Sequence, residues 1–325
     1  MQKKLDQYFS VTLKYKPRSC FVYDPSGPSA TFEDEPLATD RYLTTVLNVG
    51  LYVRNCTSAT GAAATATATA TAVIPSVSTS ASISLLKSNL QKAVRRGQVA
   101  LALQSALAVL ERDPMELLRR LPILYIEDVC LMDSYPLLIW WMMAGKEYIL
   151  TTLDKYYVLQ CVLHLATEMR AYDATYRTKK GLDESWVKRE ATDAVLAVYY
   201  RSLYGGMKGD MRMLEGAVEY YLGQPEEILH VSFENPIDDA YWRDAFEILP
   251  QAVDFHPFPR LLTAIAKKTG MEEKIIQEFI WYVDSAINVR KQDTIDRSAE
   301  KAEQEEWRWI EPVLARIRHS MLQRW

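Results

Sequence analysis

Few residues in this sequence have the types and spacing that would support chemistry. His164 and Glu168 lie four positions apart, which would place two metal ligands on one face of a helix. The acidic pair Asp238 and Asp239 could hold a cation only if further carboxylates converged on it, and the spacing indicates no such convergence. The glycine cluster at 204–211 lacks the spacing of a phosphate-binding loop. We therefore predict no catalytic residue, metal or cofactor, and a metal-dependent hydrolase that uses His164 and Glu168 is the weakest alternative.

Charged residues form an ordered series after residue 84. Two arginine pairs precede one acidic pair: Arg95 and Arg96, Arg119 and Arg120, then Glu127 and Asp128. Arginines near helix C-termini complement the helix dipole, and the acids can pair with them across a helical hairpin. Such pairing by itself accounts for the charges.

The order of these motifs resembles that of a known family. K-A-V-R-R-G at 92–97, A-L in the next helix, R-R-L at 119–121 and E-D-V at 127–129 resemble the C-terminal helical region of the RarA/MgsA family, which includes the Werner-helicase-interacting protein. Its members are clamp-loader-like AAA+ ATPases that act at stalled replication forks. The resemblance covers residues 85–145 and implies that the charged residues named above pack subunits into an oligomer. This sequence lacks the family's ATPase domain, which excludes motor activity, and Cys130 stands where the family tends to have glycine.

A second pattern occurs in the first residues, MQKKLDQYFSV. Gln2, Leu5, Tyr8 and Phe9 follow the spacing Q-x-x-L-x-x-Y-F. In a 3₁₀ turn the side chains at i and i+3 eclipse, so Leu5, Tyr8 and Phe9 form an apolar plug beside the Gln2 amide. This resembles the box by which proteins bind the sliding clamp of replication, PCNA. In the alternative interpretation, these residues begin an amphipathic helix that docks on the body of the protein.

Composition favours a folded protein in a reducing compartment. The chain has 325 residues, 49% of them hydrophobic, and a net charge of −4, so DNA could be bound only by a local basic patch. The cysteines, Cys20, Cys56, Cys130 and Cys161, show no CxxC pairing. No signal peptide is evident, and the apolar run YPLLIWWMMA at 135–144 is too short to span a bilayer, so we predict a buried helix there and no membrane contact.

Four regions along the chain differ in composition and in the spacing of their apolar residues. We predict a clamp-binding peptide at 1–16, a small element at 17–56 that could be helical or extended, a flexible Ala/Thr/Ser-rich linker at 57–84, and a helical domain at 85–325. Apolar residues recur at helical spacing throughout the last region, so the predicted fold is all-α, an array of about ten helices.

The last helix carries Arg316, Arg318 and Arg324 and is the candidate DNA contact. Taken together, the two resemblances predict a non-enzymatic, nuclear, clamp-binding accessory factor of DNA replication or repair. The main alternative is an architectural subunit of another assembly, with its first residues packed on the body.

Overall fold

The computed structural model describes residues 18–55, 75–171, 182–254, 258–285 and 292–323. This part of the chain is mostly helical but not all-α, because four short strands precede the helices. The expected all-α fold is therefore corrected to a helical array that carries a small sheet.

The sheet lies in the segment for which the sequence predicted either a helix or an extended structure. Its strands are β1 (Cys20–Asp24), β2 (Ser29–Glu33), β3 (Arg41–Val46) and β4 (Val49–Val53), in the order β2-β1-β4-β3. β1 pairs antiparallel with β2 and parallel with β4, and β3 and β4 form an antiparallel hairpin. Leu47 and Asn48 make the hairpin turn with φ of 51° and 63°, a left-handed conformation whose twist matches that of the flanking strands.

Twelve α-helices follow in the described residues. They are α1 (Ile83–Arg95), α2 (Val99–Arg112), α3 (Pro114–Asp128), α4 (Tyr135–Ala144), α5 (Thr152–Thr167), α6 (Glu184–Glu190), α7 (Asp193–Leu203), α8 (Lys208–Gly223), α9 (Pro259–Thr269), α10 (Glu273–Phe279), α11 (Gln292–Glu303) and α12 (Glu305–Leu322). Local sequence explains several boundaries. Asp113 caps α3 through the amides of Met115 and Glu116, and Gly270 ends α9 in the left-handed conformation.

The main core surrounds α4, in which every residue is buried, as the apolar run predicted. The helix packs against β1 to β3, α3 and α7, and the indole nitrogen of Trp140 donates to the carbonyl of Phe21 at 2.9 Å. Phe21 itself is stacked on Phe32 within the sheet. The sheet and the helices therefore share one core, and the described part of the predicted element at 17–56 packs against the helical domain.

A buried carboxylate also joins the sheet to α5. Asp154 accepts hydrogen bonds from the Tyr23 and Tyr148 hydroxyls and from the backbone and side chain of Thr151. The Thr151 side chain in turn accepts from the Asp154 amide, which completes a capping box at the start of α5.

A second, smaller core lies in the C-terminal part. It is built from α9, α10 and α12 with the turn that follows α10, and its buried residues are Leu261, Leu262, Ile265, Ile276, Phe279, Ile280, Ile310 and Leu314.

The end of the predicted linker belongs to the folded body. Ala81 is buried, Arg112 donates to the carbonyls of Thr79 and Ala81, and Ser82 caps α1. Residues 56–74, which hold most of the predicted linker, lie outside the described residues. Because the sheet shares the helical core, the Ala/Thr tract connects two parts of one body and does not join the first residues to that body.

Candidate functional site

A polar cleft opens where the two cores meet, and we call it the charged cleft. Its volume is about 650 Å³, and its walls come from α1, α3, the start of α8, Asp254 after the turn at Pro250–Val253, and Trp281 after α10. The charged and aromatic residues that line it include Lys87, Lys92, Arg95, Arg120, Glu127, Asp210, Asp254 and Trp281.

One wall is a hydrogen-bonded network between α1 and α3. The Arg95 guanidinium donates to Asp128 at 2.6 Å and to Glu127 at 3.2 Å. Gln91, one turn earlier on α1, donates to the same two carboxylates at 3.0 and 3.1 Å and accepts from Arg120 at 2.5 Å. Burial raises the pKa of Glu127, a shift that Asp128 reinforces and that Arg95 and Arg120 oppose.

The structure brings together four of the six charged residues in the predicted series. Arg95, Arg120, Glu127 and Asp128 meet in the network, although α1 and α3 are separated by α2 and do not form a direct hairpin. Arg96 instead donates to the carbonyl of Asp284. The Arg119 side chain is exposed, and its carbonyl accepts a hydrogen bond from Arg201.

A second ion-pair cluster ties α12 to the main body. Arg318 is buried and contacts both Asp254, through Nε at 3.2 Å, and Asp284. Gln251 also donates to Asp284 at 3.0 Å, and Arg95 donates to the carbonyl of Ser285 at 3.3 Å. The two clusters together form the polar boundary between the two hydrophobic cores.

The three arginines of the candidate DNA contact differ in their environments. Arg318 is 5% exposed and already neutralised by two carboxylates, so it does not present a charge to DNA. Arg316 is exposed on α12, and Arg324 lies outside the described residues. No basic surface is therefore shared by Arg316 and Arg318.

Lys92 is the residue of this cleft that sequence reasoning missed. It is 5% exposed and lines the cleft, and its side-chain amine makes no hydrogen bond or ion pair with any described residue. Burial lowers its pKa to about 7, helped by Arg95 and Arg96 and opposed by Asp254 and Asp128. At neutral pH its amine is therefore partly uncharged.

The residues of the metal-site alternative, His164 and Glu168, belong to no cluster of metal-ligand side chains among the described residues. His164 packs edge-on against Phe233, with the ring centroids 5.6 Å apart, and burial lowers its pKa. Glu168 is bound by Arg170 at 3.1 Å, and Asp238 caps a short 3₁₀ turn. Within the described ranges no three histidine, cysteine or carboxylate side chains are grouped as metal ligands would be. None of the helices described is long and apolar enough to cross a membrane.

The predicted clamp-binding residues, Gln2, Leu5, Tyr8 and Phe9, lie outside the described residues. Arg18, the first of the described residues, is fixed to the body: its guanidinium pairs with Asp193 at 2.9 Å and donates to the carbonyl of Ala191. The nine residues from Phe9 to Arg18 can span at most about 30 Å when fully extended.

Comparison of the chain with protein-family models, with curated proteins and with solved structures finds no match. The two resemblances rest on the quoted motifs alone.

Proposed function

We propose that this protein is a non-enzymatic accessory factor of DNA replication or repair, which binds the sliding clamp PCNA in the nucleus. The observation that carries the proposal is the complete Q-x-x-L-x-x-Y-F pattern formed by Gln2, Leu5, Tyr8 and Phe9. Its three apolar side chains suit a surface pocket, and the glutamine amide can hydrogen-bond at the rim of that pocket. The lysines around the pattern would increase the association rate with an acidic rim.

The anchoring of Arg18 supports a role for the body as a module held at the clamp. Because Arg18 pairs with Asp193, the segment that carries the pattern is joined to the body beside the start of α7. A tether of this length keeps the body at high effective concentration next to whatever else is bound to the clamp. The partner-binding surface of the body would then be near α6 and α7.

Four charged residues of the motifs that resemble the RarA/MgsA helical region form ion pairs within one chain. Arg95 and Asp128 are buried, and Arg120 and Glu127 contact each other across the same network. A homo-oligomer of this protein would have to use other surfaces, since these charges are already neutralised. Light scattering on the purified chain measures that oligomeric state directly.

Calorimetric titration of the full chain into PCNA tests the proposal. We expect a dissociation constant in the micromolar range or tighter, which corresponds to about −8 kcal/mol. The double variant Tyr8→Ala/Phe9→Ala removes two buried anchors, each worth about 2 kcal/mol or more, so binding should weaken about a thousandfold and leave no measurable heat.

Tyr15→Ala is the matched control, because it removes an aromatic residue from the same region but outside the pattern. It should bind as the wild type does. Equal loss of binding in Tyr15→Ala and in the double variant would mean that the pattern itself is not recognised. Absence of binding by the wild-type chain would leave the architectural-subunit alternative.

A further inference from the structure

An amine without a partner is buried in the charged cleft. Lys92 lies on α1, is 5% exposed, and its side chain lines the cleft without a hydrogen bond or ion pair to any described residue. Buried lysines ordinarily have a partner, since an isolated buried ammonium is costly. This cleft of about 650 Å³ is within the size range of small-molecule sites.

The charges around Lys92 come from every element that packs near it. They are Arg95 and Arg96 on α1, Glu127 and Asp128 on α3, Asp210 on α8, and Asp254 after the 3₁₀ turn. Arg318 on α12 pairs with Asp254 and also with Asp284. Most of these groups neutralise one another: Asp128 pairs with Arg95, and Asp254 pairs with Arg318. Three arginines and five carboxylates therefore surround Lys92, but none of these carboxylates makes an ion pair with its amine.

The other cations of the cleft are occupied. Lys87 pairs with Glu116, Arg95 pairs with Asp128, and Arg120 contacts Glu127. An anionic ligand would find no unpaired cation besides Lys92 among the described lining residues. A neutral amine in a cleft with an aromatic wall, which Trp281 supplies, is better suited to a carbonyl compound.

We propose that the charged cleft is a binding site for a small molecule with an aldehyde or ketone group, and that Lys92 captures this group as an imine. The lone pair of Nζ attacks the carbonyl carbon, a C–N bond forms as the C=O π bond breaks, and one proton passes from nitrogen to oxygen to give a carbinolamine. The nitrogen lone pair then forms the C=N bond as the C–O bond breaks, and the hydroxyl leaves as water with a proton taken from the solvent. The iminium nitrogen returns its remaining proton to the solvent. The amine and the carbonyl compound are thus converted into an imine and one water molecule, with no change in oxidation state.

The environment of Lys92 supplies what this step needs. Its pKa is lowered to about 7, so about half of the amine is neutral at pH 7, whereas an exposed lysine is neutral to less than about 0.1% at that pH. This activation by desolvation and by nearby cations is a known way to make a lysine nucleophilic. This inference does not depend on the clamp-binding proposal, because the cleft and the first residues are separate parts of the chain.

Reductive methylation of the full chain tests the inference. The folded protein is treated with limiting formaldehyde and sodium cyanoborohydride between pH 6 and pH 10, and modified lysines are quantified by peptide mass spectrometry. At pH 7 we expect Lys92 to be methylated at least about ten times faster than the exposed Lys267 and Lys268, and we expect this ratio to fall as the pH approaches 10. Benzaldehyde, as a larger aromatic probe, should show the same preference for Lys92.

Two variants and one competitor complete the design. Lys92→Met should lose only the modification at that position, and Lys87→Met, at another lysine of the cleft, should keep the fast modification of Lys92. Methylation of Lys92 that is slower than that of Lys267 at pH 7 would overturn the inference. Slow methylation of Lys92 together with its protection by inorganic phosphate would also overturn it, in favour of an anion site.

Discussion

Replacement of Lys92 by methionine should stabilise the protein, and the gain should depend on pH. In the folded state burial lowers the pKa of this amine from 10.5 to about 7, while in the unfolded chain it keeps its ordinary value. Between these two values the unfolded chain binds more protons than the folded protein, so the wild-type protein becomes more stable as the pH rises. The penalty is fully present below pH 7 and is lost as the pH approaches 10.5.

The magnitude follows from the two pKa values. The lysine costs about 4 kcal/mol of unfolding free energy at pH 7 and about 2 kcal/mol at pH 9. Methionine keeps an unbranched apolar side chain against the same neighbours and carries no charge, so Lys92→Met should recover most of this cost.

Urea unfolding followed by tryptophan fluorescence provides the assay, since the chain has 8 tryptophans. We expect Lys92→Met to exceed the wild type by up to about 4 kcal/mol at pH 7 and by about half of that at pH 9. The control Lys87→Met removes a partly exposed ion pair with Glu116 and should change the unfolding free energy by less than about 1 kcal/mol at either pH. A Lys92→Met protein that is less stable than the wild type by the same amount at both pH values would refute the reasoning.

Three further substitutions test the polar contacts that join the elements. Arg95→Met leaves the buried Asp128 without its cation and should cost about 3–5 kcal/mol in urea unfolding, most of which Arg95→Met/Asp128→Leu should recover; equal loss in both proteins would contradict a paired role. Arg318→Met removes the ion pairs that tie α12 to the main body, so amide hydrogen exchange in α9 and α10 should accelerate ahead of the main core, and unchanged exchange would count against this boundary. Asp154→Asn leaves one acceptor oxygen for the Tyr23 hydroxyl and the other donors, and thermal unfolding should show a loss of about 1–3 kcal/mol; an unchanged midpoint would argue that these hydrogen bonds contribute little.

The helical part of the fold follows largely from local sequence. Apolar residues at helical spacing predicted the array after residue 85, and the fully apolar run at 135–144 predicted its central buried helix. Local signals also mark the start of α3, because Asp113 caps this helix and Pro114 occupies its first turn. These features are local, so one segment is enough to predict each of them.

The sheet could not be predicted in the same way. β1 is buried at four of its five positions and lacks the alternation of apolar and polar residues that marks a half-exposed strand. Its parallel partner β4 is 25 or more residues away along the chain, so the pairing depends on a contact that no single segment reveals.

The charged cleft was only partly predictable for a related reason. Pairing between the arginines and Glu127 and Asp128 was expected from their order, and it is confirmed for Arg95 and Arg120. Arg318 joins the cleft region from nearly 200 residues downstream of α3, and its burial follows from the packing of the second core. The burial of Lys92 could not be predicted locally, because the residues that line the cleft with it come from distant parts of the chain.

The most direct test of the clamp-binding account compares the peptide Met1 to Arg18 with the full chain, each titrated calorimetrically into PCNA. The account predicts that both bind at micromolar concentration or below, with dissociation constants within about threefold of each other, a difference of less than about 1 kcal/mol. Failure of the peptide to bind would contradict the account. Binding by the peptide but not by the full chain would show that the first residues are docked on the body, as in the alternative interpretation.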